Sequence, residues 1–234
     1  MRRPALRPRP DQIAELTRAL DLPLPAIPDE LMGVIAEKLE SAFGDLKVTA
    51  AATIASGTEA EVTSLLESRL NAMLDTDPLW ASLVMCVARG KETVSFDGTH
   101  LEKRPDLTIF LTDRQRNHPL LVEAKIVDKS AGKTVNLYCE NGVRRFLAGE
   151  YGWGTCEGFM LAYVRDGSST GVTLSTFLSN ALAPGFAVVA TSIPTGISVG
   201  DILHSGHDRN FAYLPPLGPR RSPGPIALWH LWVS

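Results

Sequence analysis

The period of the apolar positions changes along the chain, and each change marks an element. Ile13, Leu16 and Leu20 recur at helical spacing. Leu22–Pro28 interrupts them with three prolines, and Leu31, Val34, Ile35 and Leu39 resume the pattern. Residues 11–46 therefore read as two helices, the second capped by Asp29 and ending near Gly44. Thr58-x-x-Glu61 is a capping box opening a stronger helix, about Glu59–Leu74, with Val62, Leu65, Leu66, Leu70, Met73 and Leu74 as its apolar stripe. Asp77-Pro78 breaks the chain. The apolar segment Leu79–Ala88 has no clear period, and Glu92–Phe96 reads as a strand followed by a turn at Asp97-Gly98.

Two apolar runs follow, Leu107–Leu111 and Leu120–Val127, separated by the polar stretch Thr112–Pro119, which is the pattern of a β-hairpin with a longer loop. Asn136–Glu150 returns to helical spacing through Leu137, Tyr138, Val143, Phe146 and Leu147. Gly158–Val164 is apolar without alternation, as expected of a central strand covered on both faces. Phe177–Leu182 reads as a short helix, Phe186–Ala190 as a strand and Pro215–Pro225 as a surface loop. Ala227–Val233 reads as a closing strand at an edge or in an interface. These elements predict an α/β protein with a mixed central sheet flanked by helices. Residues 1–50 form a basic arm and helical extension, and residues 51–234 form the α/β domain.

The hairpin is out of pattern in one respect. Asp106 opens its first strand straight after Pro105, and Glu123 and Lys125 interrupt the second where apolar residues are expected. Residues two apart in a strand share a face, so Glu123 and Lys125 point the same way. If Leu111 stands opposite Leu120, Asp106 stands opposite position 125, within one pleat of Glu123. Two carboxylates and an ammonium then meet at one end of an apolar hairpin. Charges in buried strands are paired or bind metal, and a cation between two carboxylates relieves their repulsion. The plainer alternative is a surface hairpin on which Glu123 and Lys125 simply pair.

Pro105-Asp106 followed by Glu123-Ala124-Lys125 resembles the PD-(D/E)xK nuclease superfamily, which has the restriction-endonuclease-like fold. The resemblance covers about half of the chain and rests on a short motif. It implies that Asp106 and Glu123 hold Mg²⁺, or Mn²⁺ in its place, and that Lys125 positions or activates the attacking water. Many members also carry an acid on a helix ahead of the hairpin. At about 100° per residue Glu59 falls near the centre of the apolar stripe and Glu61 well away from it, so Glu59 is the candidate and Glu61 the fallback. An acid in a first turn also simply favours the helix dipole. Lys129 and Lys133 lie in a basic loop after the motif, and Arg144 and Arg145 on the helix beyond it. These four are candidate phosphate contacts. The resemblance implies a Mg²⁺-dependent nuclease, with double-stranded DNA as the first expected substrate and restriction, defence or repair as its setting. A second copy of the chain or a regulatory protein is a further expected partner. The alternative within the same fold is a nucleic-acid-binding or assembly subunit whose metal site is idle.

Two other motifs compete. Gly132-Lys133-Thr134 ends like a P-loop, but Val127 stands where the first glycine is needed, and the phosphate-cradling turn is lost. Gly167-Ser168-Ser169-Thr170-Gly171 matches the nucleophile elbow of serine hydrolases, with Asp201 and then His204, His207 or His230 in a usable order. An elbow leaves a strand directly and enters a helix. Arg165-Asp166 intervenes here, and Val172-Thr173 favours extended or irregular structure. His204 and His207 read as solvated residues of a Gly/Ser loop with no third metal ligand beside them.

Composition changes little in this picture. The 234 residues are 44% hydrophobic and 21% charged with a net charge of −3, so any nucleic-acid contact must be a local groove and not a global basic field. Three cysteines without a C-x-x-C motif point to a reducing cytoplasm. The opening MRRPALRPRP lacks an apolar core and does not read as a signal peptide, and no apolar run approaches the roughly 18 residues of a membrane span.

Overall fold

Eight consecutive buried residues, Glu157–Val164, form the middle strand of the molecule, and the other elements are arranged about it. The computed structural model describes residues 10–97, 103–180, 184–214, 217 and 220–234. The basic arm and Gly98 of the anticipated turn fall outside these. In chain order the elements are α1 (Pro10–Leu16), α2 (Asp29–Thr49), α3 (Ala51–Ser56), α4 (Glu59–Met73), α5 (Pro78–Leu83), β1 (Val84–Ala88), β2 (Leu107–Leu111) and β3 (Leu120–Val127). They continue with α6 (Val135–Tyr138), a π-turn (Cys139–Val143), α7 (Arg144–Leu147), β4 (Glu157–Val164), α8 (Ser175–Ser179), β5 (Val188–Ser192), β6 (Ile202–His207) and β7 (Ile226–Val233).

The seven strands form one mixed sheet in the order β1-β2-β3-β4-β7-β6-β5. β3, β4 and β7 run parallel in its centre, and the remaining neighbours are antiparallel. β7 is thus an interior strand. Helices cover both faces, which explains why the central strands read as unbroken apolar runs. On one face α2 and α4 bury Ile35, Leu39, Val62 and Leu66 against Val122, Ala124, Leu161 and Leu231. On the other, Tyr138, Val143, Phe146 and Leu174 pack on Leu121, Met160, Ala162 and Leu228. No helix among the described residues is long and apolar enough to cross a membrane.

Several local expectations need correction. Asp29 lies inside α2 and makes no capping bond. The helix runs through Gly44 to Thr49 because its buried face continues through Leu46. Glu92–Phe96 is not a strand: among the described residues its only ladder contact is the bridge between Thr93 and Lys103. Leu79–Ala88 is a turn of helix feeding β1. Thr170–Leu174 is a π-turn leading into α8.

His204–His207 is part of β6 and not a solvated loop. Ser205 and His207 are buried in a closed relay, and His204 is half-buried outside it. The Phe186 carbonyl can only accept, so His207 Nδ1–H donates to it (2.7 Å) and His207 Nε2 accepts from Ser205 Oγ (2.7 Å). Ser205 then accepts from His230 Nε2 (2.7 Å), whose Nδ1 accepts from the Tyr138 hydroxyl (2.9 Å). Burial pushes both imidazoles below their ordinary pKa and keeps this neutral arrangement in place.

Candidate active site

The site lies where the sheet forks. β2 pairs with β3 only over Leu107–Ile109 opposite Val122–Leu120, while β3 continues alongside β4 as far as Val127. This register differs by two residues from the one anticipated, and it brings Asp106 level with Glu123 instead of Lys125. Beyond Val122 one edge of β3 therefore has no partner strand among the described residues. Side chains complete it: Asp106 Oδ2 accepts from Ala124 N (2.8 Å), Glu59 Oε2 accepts from Ile126 N (3.3 Å), and Lys125 Nζ donates to Ala124 O (2.6 Å).

Glu59 reaches this edge because α4 is fixed at its first turn. Thr58 and Glu61 form the capping box reciprocally, which commits Glu61 to the cap and leaves it on the surface. Arg165, just past the end of β4, donates to the carbonyls of Ile54 (3.1 Å) and Gly57 (2.7 Å). Thr63 Oγ1 meets the Tyr163 hydroxyl at 3.0 Å. Glu59, not Glu61, is the helix acid at the site. Thr58→Ala is expected to cost about 1 kcal/mol of stability in denaturant unfolding, the usual worth of such a cap.

Three carboxylates gather on one ammonium. Lys125 Nζ lies 2.7 Å from Glu123 Oε1, 3.1 Å from Glu59 Oε1 and 3.5 Å from Asp106 Oδ2. Burial works against the charge on Lys125, but Glu123, Asp106 and Glu59 outweigh it and raise the pKa, so the group is a firm ammonium. Glu123 is 1% exposed, and burial pushes its carboxyl up to about 7 against the pull of Lys125. Its Oε1 also meets Arg145 Nη1 at 2.9 Å, while Oε2 is buried without a partner among the described residues.

The π-turn brings Arg145 here. At Gly142 the helical segment approaches the sheet so closely that a Cβ would stand 2.3 Å from Met160 Cε, and Glu123 Cγ lies just beyond. Arg145 then faces Glu123, and Arg144, about 100° round the helix, turns away to Glu140 and the Phe186 ring. Tyr151, which has no local sequence signal, is fully buried and accepts from Arg145 Nη1 (2.8 Å). Lys129 and Lys133 are exposed on the turn after β3 and form no ion pair among the described residues.

Ser169 Oγ accepts from Val172 N and acts as a helix cap. Asp201 is engaged by the backbone and hydroxyl of Thr170, and His207 and His230 are occupied in the buried relay. No histidine hydrogen-bonds Ser169 among the described residues, so the elbow motif assembles no triad there.

No family model, no curated protein and no solved structure matches this chain.

Among the described residues no three His, Cys, Asp or Glu side chains form a ready-made metal cluster. The carboxylates close on Lys125 instead of on one another. The donor set nevertheless suits a hard cation: every ligand atom is a carboxylate oxygen. Two of those oxygens are uncommitted. Asp106 Oδ1 makes no bond to described residues, and Glu123 Oε2 is a buried acceptor with nothing to accept from. An orphaned carboxylate oxygen of this kind is costly, and a hard cation is one group that would satisfy it.

Proposed function

We propose that this protein is a Mg²⁺-dependent nuclease of the PD-(D/E)xK type with a restriction-endonuclease-like core, hydrolysing phosphodiester bonds in nucleic acid, with double-stranded DNA as the substrate. The observation that carries the reading is the convergence of Glu59, Asp106 and Glu123 on Lys125 at the fork of the sheet. A structural ion pair needs one acid. Three acids around one lysine, with an unpaired buried oxygen, form a site that is under-filled by its own residues.

Asp106 and Glu123 are the residues that would hold the cation, with Glu59 beside them. A bound Mg²⁺ would supply neutralising charge at the scissile phosphate and acidify the attacking water. The protein's own part is electrostatic. Lys125 enters as an ammonium, so it orients the nucleophile and stabilises charge developing on the phosphate and does not remove a proton. Glu59 and Asp106 hold that ammonium at the edge of β3. Arg145 places a second positive group on the same side.

Supercoiled plasmid incubated with the protein is expected to be nicked and linearised in Mg²⁺ and to stay intact in EDTA. An intact plasmid in both conditions, together with intact RNA, would overturn the reading. One observation favours a second reading, a nucleic-acid-binding subunit with an idle site: Lys125 and Arg145 both occupy Glu123 Oε1, so the acid is already neutralised. Duplex binding without nicking in Mg²⁺ would select that reading.

A further inference from the structure

Arg145 is attached to Glu123 by only part of its guanidinium. Nη1 makes its polar contacts, to Glu123 Oε1 and to the Tyr151 hydroxyl, and the guanidinium carbon lies over the Tyr151 ring, 5.5 Å from its centroid. Nε and Nη2 make no hydrogen bond with described residues, and the side chain is 32% exposed. Lys125, the other cation on the same oxygen, is 15% exposed and is held in addition by Glu59, Asp106 and the Ala124 carbonyl. Of the two cations on Glu123, Arg145 has the fewer anchors and the greater exposure. A guanidinium with two free edges is a planar donor fork matched to phosphate oxygens. Tyr151 is a fixed post for it: the residue is fully buried, and the segment around it turns at Gly149 and Gly152, whose φ values are +70° and +59°.

We propose that Arg145 is a positioning residue with two stations. It neutralises Glu123 in the free protein and moves to a backbone phosphate of bound nucleic acid, pivoting on Tyr151. This rests on the phosphodiesterase reading above. Its consequence is a coupling between ligands. A phosphate that draws Arg145 away exposes Glu123 to a cation, and a cation that satisfies Glu123 frees Arg145 for a phosphate. Such linkage is reciprocal by thermodynamic necessity and typically amounts to about 5- to 150-fold.

The test reads binding and not turnover. Affinity for a fluorescent duplex is measured by polarisation in EDTA and in Ca²⁺ at fixed ionic strength. Affinity for Mn²⁺ alone is measured by electron paramagnetic resonance. In the wild type, Ca²⁺ is expected to tighten duplex binding about tenfold. In Arg145→Ala the tightening is expected to fall below about twofold, while Mn²⁺ alone binds more tightly than to the wild type because its competitor for Glu123 is gone. Opposite movement of the two readouts separates this role from a structural one, since a folding defect weakens both. Tyr151→Phe is expected to reduce the coupling and leave Mn²⁺ affinity unchanged. Arg145→Lys keeps the charge without the fork, and carries the same test should the alanine variant not fold: weakened coupling supports the proposal. Full wild-type coupling in either Arg145 variant, or weaker Mn²⁺ binding by Arg145→Ala, overturns the two-station role and leaves the nuclease reading standing. A wild type that binds neither Mn²⁺ nor duplex overturns both.

Discussion

Lys125→Ala is expected to lower single-turnover cleavage at saturating Mg²⁺ by about 10²–10³-fold, the usual cost of removing one preorganised group that stabilises transition-state charge. The ammonium is nearly buried, raised in pKa by three acids and fixed by the Ala124 carbonyl, whereas Arg145, the other cation at Glu123, has no ion pair to Glu59 or Asp106. The same substitution leaves Glu59, Asp106 and Glu123 without their common counter-ion, and Mn²⁺ affinity is therefore expected to rise as turnover falls. That divergence separates a lost catalytic group from a damaged fold. Undiminished cleavage by Lys125→Ala would remove the lysine from the chemistry and with it the assignment of the motif.

Glu123→Gln is expected to stabilise the metal-free protein, and to do so in a pH-dependent way. The carboxyl of Glu123 titrates at about 7 in the folded protein against an ordinary 4.5, chiefly because it is buried. A carboxylate raised in this way favours folding when protonated. Its contribution is fully present below about pH 4.5 and is lost as pH rises through about 7. Glutamine has the same shape and no charge to bury. In EDTA at pH 8 the variant is expected to gain roughly 2 kcal/mol, on the order of 5 °C in Tm for a chain of this size. The gain should shrink steadily toward pH 4.5. Adding Mg²⁺ should narrow the gap from the other side, because a bound cation stabilises the wild type more than a variant with one carboxylate fewer. A Tm difference that does not change with pH would show that Glu123 is already neutral, or well paired, throughout.

The residues that were legible in the sequence are those whose partners are close along the chain or whose strand pattern is strict. Glu123 and Lys125 fall on one face of β3 because strand alternation leaves no choice. Glu59 was separable from Glu61 because a capping box commits its fourth residue to the helix terminus. β4 was legible because no other element accounts for a run of apolar residues that long. The rest depended on distant contacts. The hairpin register is set by the point at which β2 leaves β3, and nothing in the hairpin itself marks that point. Tyr151 meets Arg145 only because the chain doubles back between α7 and β4. β6 was mistaken for a loop because His204, Ser205, Gly206 and His207 are residues of loops in general. Ser205 and His207 are buried here because Phe186, His230 and Tyr138 complete the hydrogen bonds of their relay.

The fork in the sheet has a consequence for how such a protein can change. Asp106 and Glu59 each hold a main-chain amide of β3 with the same carboxylate that faces the candidate metal position. Replacing either by alanine would leave a main-chain amide of a buried β3 residue, Ala124 or Ile126, without its acceptor. Selection against activity alone would therefore retain oxygen-bearing side chains at both positions, asparagine or glutamine in place of the acids. Lys125 gives its main-chain bond to a carbonyl at the same margin, and a carbonyl tolerates water as a substitute, so the lysine is the member of the set that inactivation would discard first.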